Sequence, residues 1–288
     1  MNTIAASGDT APLANKAGSG SALRSRILSA LILAPLVMAG IVVGFPLFDI
    51  LIAAASVIMA AEWRRLCGGK ILDLVGGVMI AAALAGIGAV VLGHSTAAVL
   101  LVLFGAAIAS ILSAAIGEER RVLLGCGLGA ALVGGCGISL VWLRLLEPGG
   151  FAIIVWLVLA IWLTDICAFF SGRAIGGPKL APAISPNKTW AGLIGGVAAA
   201  AVWSVVWGGW QQVESLVAMA LIGAATAVLA QLGDLGVSVV KRRFGAKDSG
   251  SLIPGHGGFL DRMDGFIGAA PPVALAIAIN GFGGLPWL

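Results

Sequence analysis

Nine apolar windows of roughly membrane-spanning length follow one another along the chain, and this succession limits the fold more than any other property. They lie near 27–44, 47–61, 71–92, 97–116, 122–143, 151–171, 191–209, 215–237 and 265–286. Turn formers occupy the breaks: Pro46, Gly68-Gly69, Gly93, Gly117, Pro148-Gly149-Gly150 and Gly208-Gly209. Soluble domains carry about 25% charged residues. This chain carries 10%, with 60% hydrophobic, and its 288 residues leave no stretch for a separate soluble domain. The expectation is an all-α polytopic integral membrane protein with about nine transmembrane helices. Residues 1–23, rich in Ala, Ser and Gly and without periodicity, read as a disordered cytoplasmic tail, and 24–288 as one membrane domain. A cleaved signal peptide is the competing reading of Arg24, Arg26 and the first apolar run. The long polar lead and the immediate succession of further spans argue against it.

Charge placement tests the span count independently. Nine spans put sixteen of the seventeen Lys and Arg on the face shared by the N-terminus and the even-numbered loops, leaving only Arg144 opposite. Because cationic loops stay cytoplasmic, the N-terminus is expected inside and the C-terminus outside. Two cytoplasmic loops are long, one of about twenty residues after the sixth span and one of about twenty-seven after the eighth. Cys67, Cys126, Cys136 and Cys167 lack any paired spacing and read as small buried apolar residues.

The stretch Ser238–Asp264 holds eight of the chain's thirty charged side chains. Asp261 and Asp264 are spaced i, i+3, so on a helix they share a face and can hold a divalent cation together with Asp234. Lys241, Arg242, Arg243 and Lys247 form a cationic cluster, and Pro254-Gly255-His256-Gly257-Gly258 a backbone able to approach phosphate oxygens. Asp165 and Asp234 fall near the cytoplasmic ends of their spans, where ionisable groups are costly and usually functional. Singly, each feature has a plain explanation: topology, a turn, a salt-bridged helix start. Together at one membrane face they suggest a nucleoside triphosphate and its metal. Asp49, Glu62, Asp73, Glu118, Glu119, Glu147 and Glu214 read as solvated span ends, and His94 as a loop residue.

The segment running through Ser238, Lys241, Arg242, Lys247, Asp248, Gly250, Ile253-Pro254, His256-Gly257-Gly258-Phe259 and Asp261-Arg262-Met263-Asp264 resembles the signature of the phosphatidate cytidylyltransferase (CDP-diacylglycerol synthase) family. Asp165 to Arg173, and Ser185-Pro186-Asn187-Lys188-Thr189-Trp190, resemble two further family segments, with Phe169 where Tyr is common. The likeness covers about 151–275, the expected catalytic half; the first 150 residues match in hydropathy alone. It implies transfer of CMP from CTP to phosphatidate, with CDP-diacylglycerol and pyrophosphate as products.

The same resemblance implies Mg²⁺ as cofactor, with a second cation as an option. Asp234, Asp261 and Asp264 would be metal ligands, with Asp165 as a further one, and Asp234, Asp261, Asp264, Lys241 and Arg262 the catalytic set. Ser185, Lys188, Thr189, Arg173, Ser238, Arg242, Lys247, Asp248, His256, Gly257 and Gly258 would bind substrate. The expected partners are CTP, phosphatidate and the bilayer, with a homodimer as an option and no nucleic acid. The expected location is the bacterial inner membrane, with the site on its cytoplasmic face. A CTP-dependent polyprenol kinase and, less favoured, an ion-coupled transporter are the alternatives; the transporter would place its polar groups at the bilayer midplane.

Overall fold

The computed structural model describes residues 35–70, 73–250 and 257–280. The expected tail, part of the first expected span and His256 lie outside the described residues. The chain is helical almost throughout. Helix α1 is described over 35–43. It is followed by α2 (Leu47–Leu66), α3 (Leu74–Val91), α4 (Ser95–Ala115), α5 (Arg120–Leu145) and α6 (Gly150–Ile175). A short antiparallel hairpin, β1 (Lys179–Ala181) and β2 (Ser185–Thr189), precedes α7 (Trp190–Trp210), α8 (Leu216–Arg243) and α9 (Leu260–Asn280).

Among the described residues, seven helices, α3 to α9, are long and apolar enough to cross a membrane. Helix α2 departs from that pattern because Asp49, Glu62, Arg64 and Arg65 all fall within its 20 residues. Local chemistry sets the helix starts. Asp73 accepts from Gly76 N–H at 2.8 Å, Thr189 from Gly192 N–H at 3.1 Å and Ser215 from Ala218 N–H at 3.2 Å, each satisfying a donor the first turn leaves open.

The helices form two groups. Helices α2 to α5 pack mainly on one another, as do α6 to α9, and α5 joins the groups by packing on α6 and α9. The core is continuous across that seam: Trp63, Leu143, Ile153, Trp156, Leu157, Leu260 and Ala270 are all buried in one cluster. Outward positions such as Phe104, Ile194, Val217 and Leu221 stay apolar and exposed, as lipid-facing surfaces do.

Several acidic residues expected at solvated span ends are inside the protein. Arg64 is 1% exposed and pairs with Asp73 at 2.7 Å and Glu118 at 2.5 Å. A guanidinium buried between two helix-joining loops needs both carboxylates, which accounts for their positions. Asp49 is also buried; Arg144 supplies favourable charge across from it, and neither oxygen has a hydrogen-bond partner among the described residues. Glu62 is 3% exposed and fully engaged, as set out below. Glu119, Glu147, Glu214 and His94 are exposed, as expected.

Candidate functional site

A cavity of about 1010 Å³ opens where α6, the hairpin, α8 and the start of α9 meet. Helix α6 contributes Asp165 and Arg173, the hairpin Ser185, Lys188 and Thr189, helix α8 Gln231, Asp234, Ser238, Lys241 and Arg242, and α9 Asp261, Arg262 and Asp264. Lys247 and Asp248 complete the rim. Two segments about forty residues apart in sequence thus line one space. Gly176 and Gly177 make this possible, since their φ values of +68° and +85° turn the chain out of α6 and back across the cavity mouth.

The hairpin was legible only as a loop. Pro182 and Pro186 argue against strands, yet a two-stranded ribbon has only edges, where proline is tolerated. Pairing of Lys179 with Thr189 brings Lys188 over α8. There its ammonium meets Asp234 Oδ2 at 2.5 Å and donates to Gln231 Oε1 at 2.9 Å. Gln231 in turn donates from Nε2 to Asp165 Oδ1 at 3.2 Å. Asp165, Gln231, Lys188 and Asp234 therefore form one chain of contacts across three elements. Arg242, expected to bind substrate, lines the cavity and makes two backbone contacts there as well. It donates to Ile184 O at 3.2 Å and Ala246 O at 3.1 Å, fastening the hairpin to the end of α8.

Helix α9 begins at Leu260, so Asp261 and Asp264 do sit on a helix, and both line the cavity. Their surroundings differ. Asp261 accepts from Lys241 Nζ at 2.6 Å and from Ser249 N–H at 3.0 Å. Asp264 accepts from Gly265 N–H at 2.8 Å and shares the cavity wall with Asp234 and Asp165, near enough for the carboxylates to repel one another. What brings them so close is a crossing of α8 and α9 at Gly233 and Gly268, where a Cβ on Gly233 would stand 2.7 Å from Gly268 Cα. Only hydrogen fits between the backbones there.

The three-aspartate ligand set expected from spacing is not preassembled: among the described residues no three acidic, His or Cys side chains form a closed metal site. Asp261 is turned toward Lys241 instead. The donors present still suit Mg²⁺, which is commonly bound through one or two carboxylates with substrate phosphates and water completing the shell. Mutually repelling Asp165, Asp234 and Asp264, within reach of several cations, form such a partial set.

Of the loop expected to approach phosphate, Gly257 and Gly258 are the glycines among the described residues. Gly257 and Gly258 lie outside the cavity wall, at the entry to α9. Gly257 has φ +80°, and a Cβ on Gly258 would reach Glu62 Oε2 at 2.9 Å. Gly258 lets the chain pass close to Ser249 and to Glu62 of α2.

A family model described as the Cytidylyltransferase family matches residues 24–280. The chain belongs to the cytidylyltransferase family. A phosphatidate cytidylyltransferase of Pseudomonas aeruginosa is 36% identical over 275 residues, covering 91% of this chain and 99% of the relative. One from Brucella suis is 51% identical over 148 residues, 49% of this chain and 53% of the relative. One from Bacillus subtilis is 38% identical over 156 residues, covering 53% and 57% respectively. The chain thus spans about half the length of the Brucella relative and nearly all of the Pseudomonas one.

In this member of the cytidylyltransferase family, two polar residues with close ties to the site were passed over at the sequence level. Gln231 is 6% exposed and stands three residues before Asp234, so the two lie on the same helix face; a buried amide in an otherwise apolar run was the available signal. Glu62 had no such signal, because its partners lie nearly two hundred residues away.

Proposed function

We propose that this chain transfers CMP from CTP to phosphatidate, giving CDP-diacylglycerol and pyrophosphate. The observation that carries the reading is the convergence of four carboxylates, Asp165, Asp234, Asp261 and Asp264, and a set of cations in one cavity at the ends of apolar helices. A water-borne triphosphate and a lipid phosphate can meet only at such a boundary. Kinship with relatives named phosphatidate cytidylyltransferase supports the choice of substrates.

The reaction asks little of a general base. The second pKa of a phosphate monoester is about 6, so the phosphatidate oxygen is already mostly anionic at neutral pH. It attacks the α-phosphorus of CTP, a new P–O bond forms, and the bond to the β-phosphate breaks to release pyrophosphate. The obstacle is repulsion between two anions, which positioning and fixed charge must overcome. Lys188 and Lys241 are held by Asp234 and Asp261 at the cavity wall, each able to turn a donor toward phosphate. Arg173, Lys247 and Arg262 add charge around the same space. Ser185 and Thr189 face it from the hairpin, and Ser238 donates to Asp234 at 3.4 Å, steadying that carboxylate. Asp234 and Asp264, with Asp261 and Asp165 beside them, would hold Mg²⁺, which when bound supplies neutralising charge at the phosphates.

The purified full-length protein in detergent, given phosphatidate, radiolabelled CTP and Mg²⁺, should form labelled liponucleotide and pyrophosphate. A folded protein that forms neither sinks the assignment. We further propose nine spans in the bacterial inner membrane, with the N-terminus and the cavity mouth cytoplasmic; the distribution of Lys and Arg supports this. His94→Cys and Arg243→Cys, made in a Cys167→Ser background, should be labelled by an impermeant maleimide from opposite sides. Labelling of both from one side would remove the nine-span topology.

A further inference from the structure

Glu62 is a charged residue of the N-terminal half, yet among the described residues its carboxylate bonds only to the C-terminal motif. It is 3% exposed. Its carboxylate accepts from Phe259 N–H at 3.0 Å, Leu260 N–H at 2.8 Å and Ser249 Oγ–H at 3.2 Å. The first two donors belong to the opening of α9, where backbone N–H groups have no partner of their own and favour a negative charge. The backbone is fitted to the carboxylate on both sides. A Cβ on Gly250 would stand 2.6 Å from Glu62 Oε1, and one on Gly258 would stand 2.9 Å from Oε2. Burying a carboxylate is expensive unless such donors surround it, so its cost is met only while α9 begins where it does.

We infer that Glu62 is a positioning residue for the reaction: from α2 it caps α9 and so sets where Asp261, Arg262 and Asp264 enter the cavity. The inference rests on the cytidylyl transfer proposed above. Leu260, whose amide Glu62 holds, is the immediate neighbour of Asp261. Ser249, whose hydroxyl Glu62 accepts, also gives its own N–H to Asp261 Oδ2 at 3.0 Å. Asp261 is thus fixed from two directions by groups that Glu62 organises. Glu62 itself does not line the cavity. The first group of helices acquires through it a part in a site built otherwise from the second.

The test uses the full-length protein with Glu62→Gln, Glu62→Ala and Ser249→Ala. The Gln variant keeps the volume but loses the charge and one acceptor; Ser249→Ala removes a single bond. Turnover per folded molecule should fall roughly 10- to 100-fold for the Glu62 variants, since misplacing reacting groups by about 1 Å can cost a hundredfold. Ser249→Ala should show a smaller loss. Half-saturating Mg²⁺ should rise while the KM for phosphatidate changes little, and peptides covering 257–264 should exchange amide hydrogen faster. A merely structural role predicts lower thermal stability with unchanged Mg²⁺ dependence and unchanged turnover per folded molecule, and that result overturns the inference. Should the wild type form no liponucleotide, the proposed function has failed; the hydrogen-exchange arm then decides on its own whether Glu62 holds α9, and unchanged exchange in both Glu62 variants overturns the inference.

Discussion

The closeness of α8 and α9 can be tested with one methyl group. In Gly233→Ala the new Cβ would stand 2.7 Å from both Gly268 Cα and Gly268 N, whereas ordinary contact begins at 3.4 Å. Backbone atoms have no rotamer to move to, so the helices must separate by more than that difference of roughly 0.7 Å, because the Asp264 carbonyl oxygen stands closer still. Overpacking of this kind costs about 1–3 kcal/mol, and the better helix propensity of Ala returns up to about 1 kcal/mol. The net loss of stability is therefore about 0–3 kcal/mol. The effect on chemistry is larger. Asp234 follows Gly233 directly, and the backbone carbonyl of Asp264 is among the atoms the methyl meets. Separation thus moves the two aspartates apart, and a misplacement near 1 Å is worth up to about a hundredfold in rate.

Gly236→Ala is the matched control. A Cβ there meets nothing within 4 Å, so it keeps the propensity gain without the clash. Both variants would be purified in detergent, checked by thermal unfolding, and assayed for labelled CDP-lipid at saturating Mg²⁺. Gly233→Ala should be folded and about 10- to 100-fold slower, and Gly236→Ala within about twofold of wild type. A folded Gly233→Ala protein with unaltered turnover would refute the claim that this crossing sets the aspartate geometry. Equal losses in both variants would refute it too.

Three further outcomes follow from single contacts. Gln231→Leu leaves Asp165 Oδ1 and Lys188 without the amide that joins them; at about 1–3 kcal/mol per unsatisfied buried group, turnover should drop about tenfold or more while the fold persists by circular dichroism. Ser215→Ala removes the α8 N-cap far from the cavity and should lower stability by about 0.5–1 kcal/mol in thermal unfolding, with turnover unchanged. Burial disfavours the Asp73 carboxylate, but the Arg64 guanidinium and the Gly76 N–H outweigh it and hold the group below its usual range. That stabilisation is complete above the unfolded value of about 3.9 and disappears as pH falls through the lower folded value. Asp73→Asn should therefore flatten the acid limb of a plot of unfolding temperature against pH; an unchanged limb would show that Asp73 does not contribute to it.

Apolar spacing and turn residues locate the helices well because lipid leaves a chain few ways to satisfy its backbone. Windows ending at 61 and 237 stop short of helices that run to Leu66 and Arg243, since hydropathy ends where charge begins but hydrogen bonding does not. The polar residues at 165–190 and 234–264 are legible as one site because their side chains are out of place in an oily chain. Residues whose cost is met by distant partners are not. Arg64 looks like a topological charge until Asp73 and Glu118 enclose it, and Glu62 looks like a span end until α9 arrives. Spacing also cannot say that Asp261 turns to Lys241 while Asp264 faces Asp234 and Asp165. That depends on a crossing between helices, which no local pattern encodes.

Many of the chain's 43 glycines and the polar site answer to the same condition. Between helices in lipid there is little hydrophobic drive, so association rests on close packing, and small residues permit it. Gly105 lies against Ala82, Gly134 against Val102, and Gly172 against Gly192, each leaving too little room for a Cβ to be added freely. At Gly233 and Gly268 the same device brings together two helices whose aspartates repel. Packing holds the two helices together against that repulsion. Lys188 on the hairpin and Lys241 on α8 offset it meanwhile by pairing with Asp234 and Asp261. Removing either lysine should then act on both ends of the balance, weakening phosphate binding and leaving a carboxylate unpaired. Lys188→Met should therefore lose turnover, and added Mg²⁺ should recover part of the loss. Should Mg²⁺ recover none of it, the lysine acts on phosphate alone and the packing does not store this repulsion.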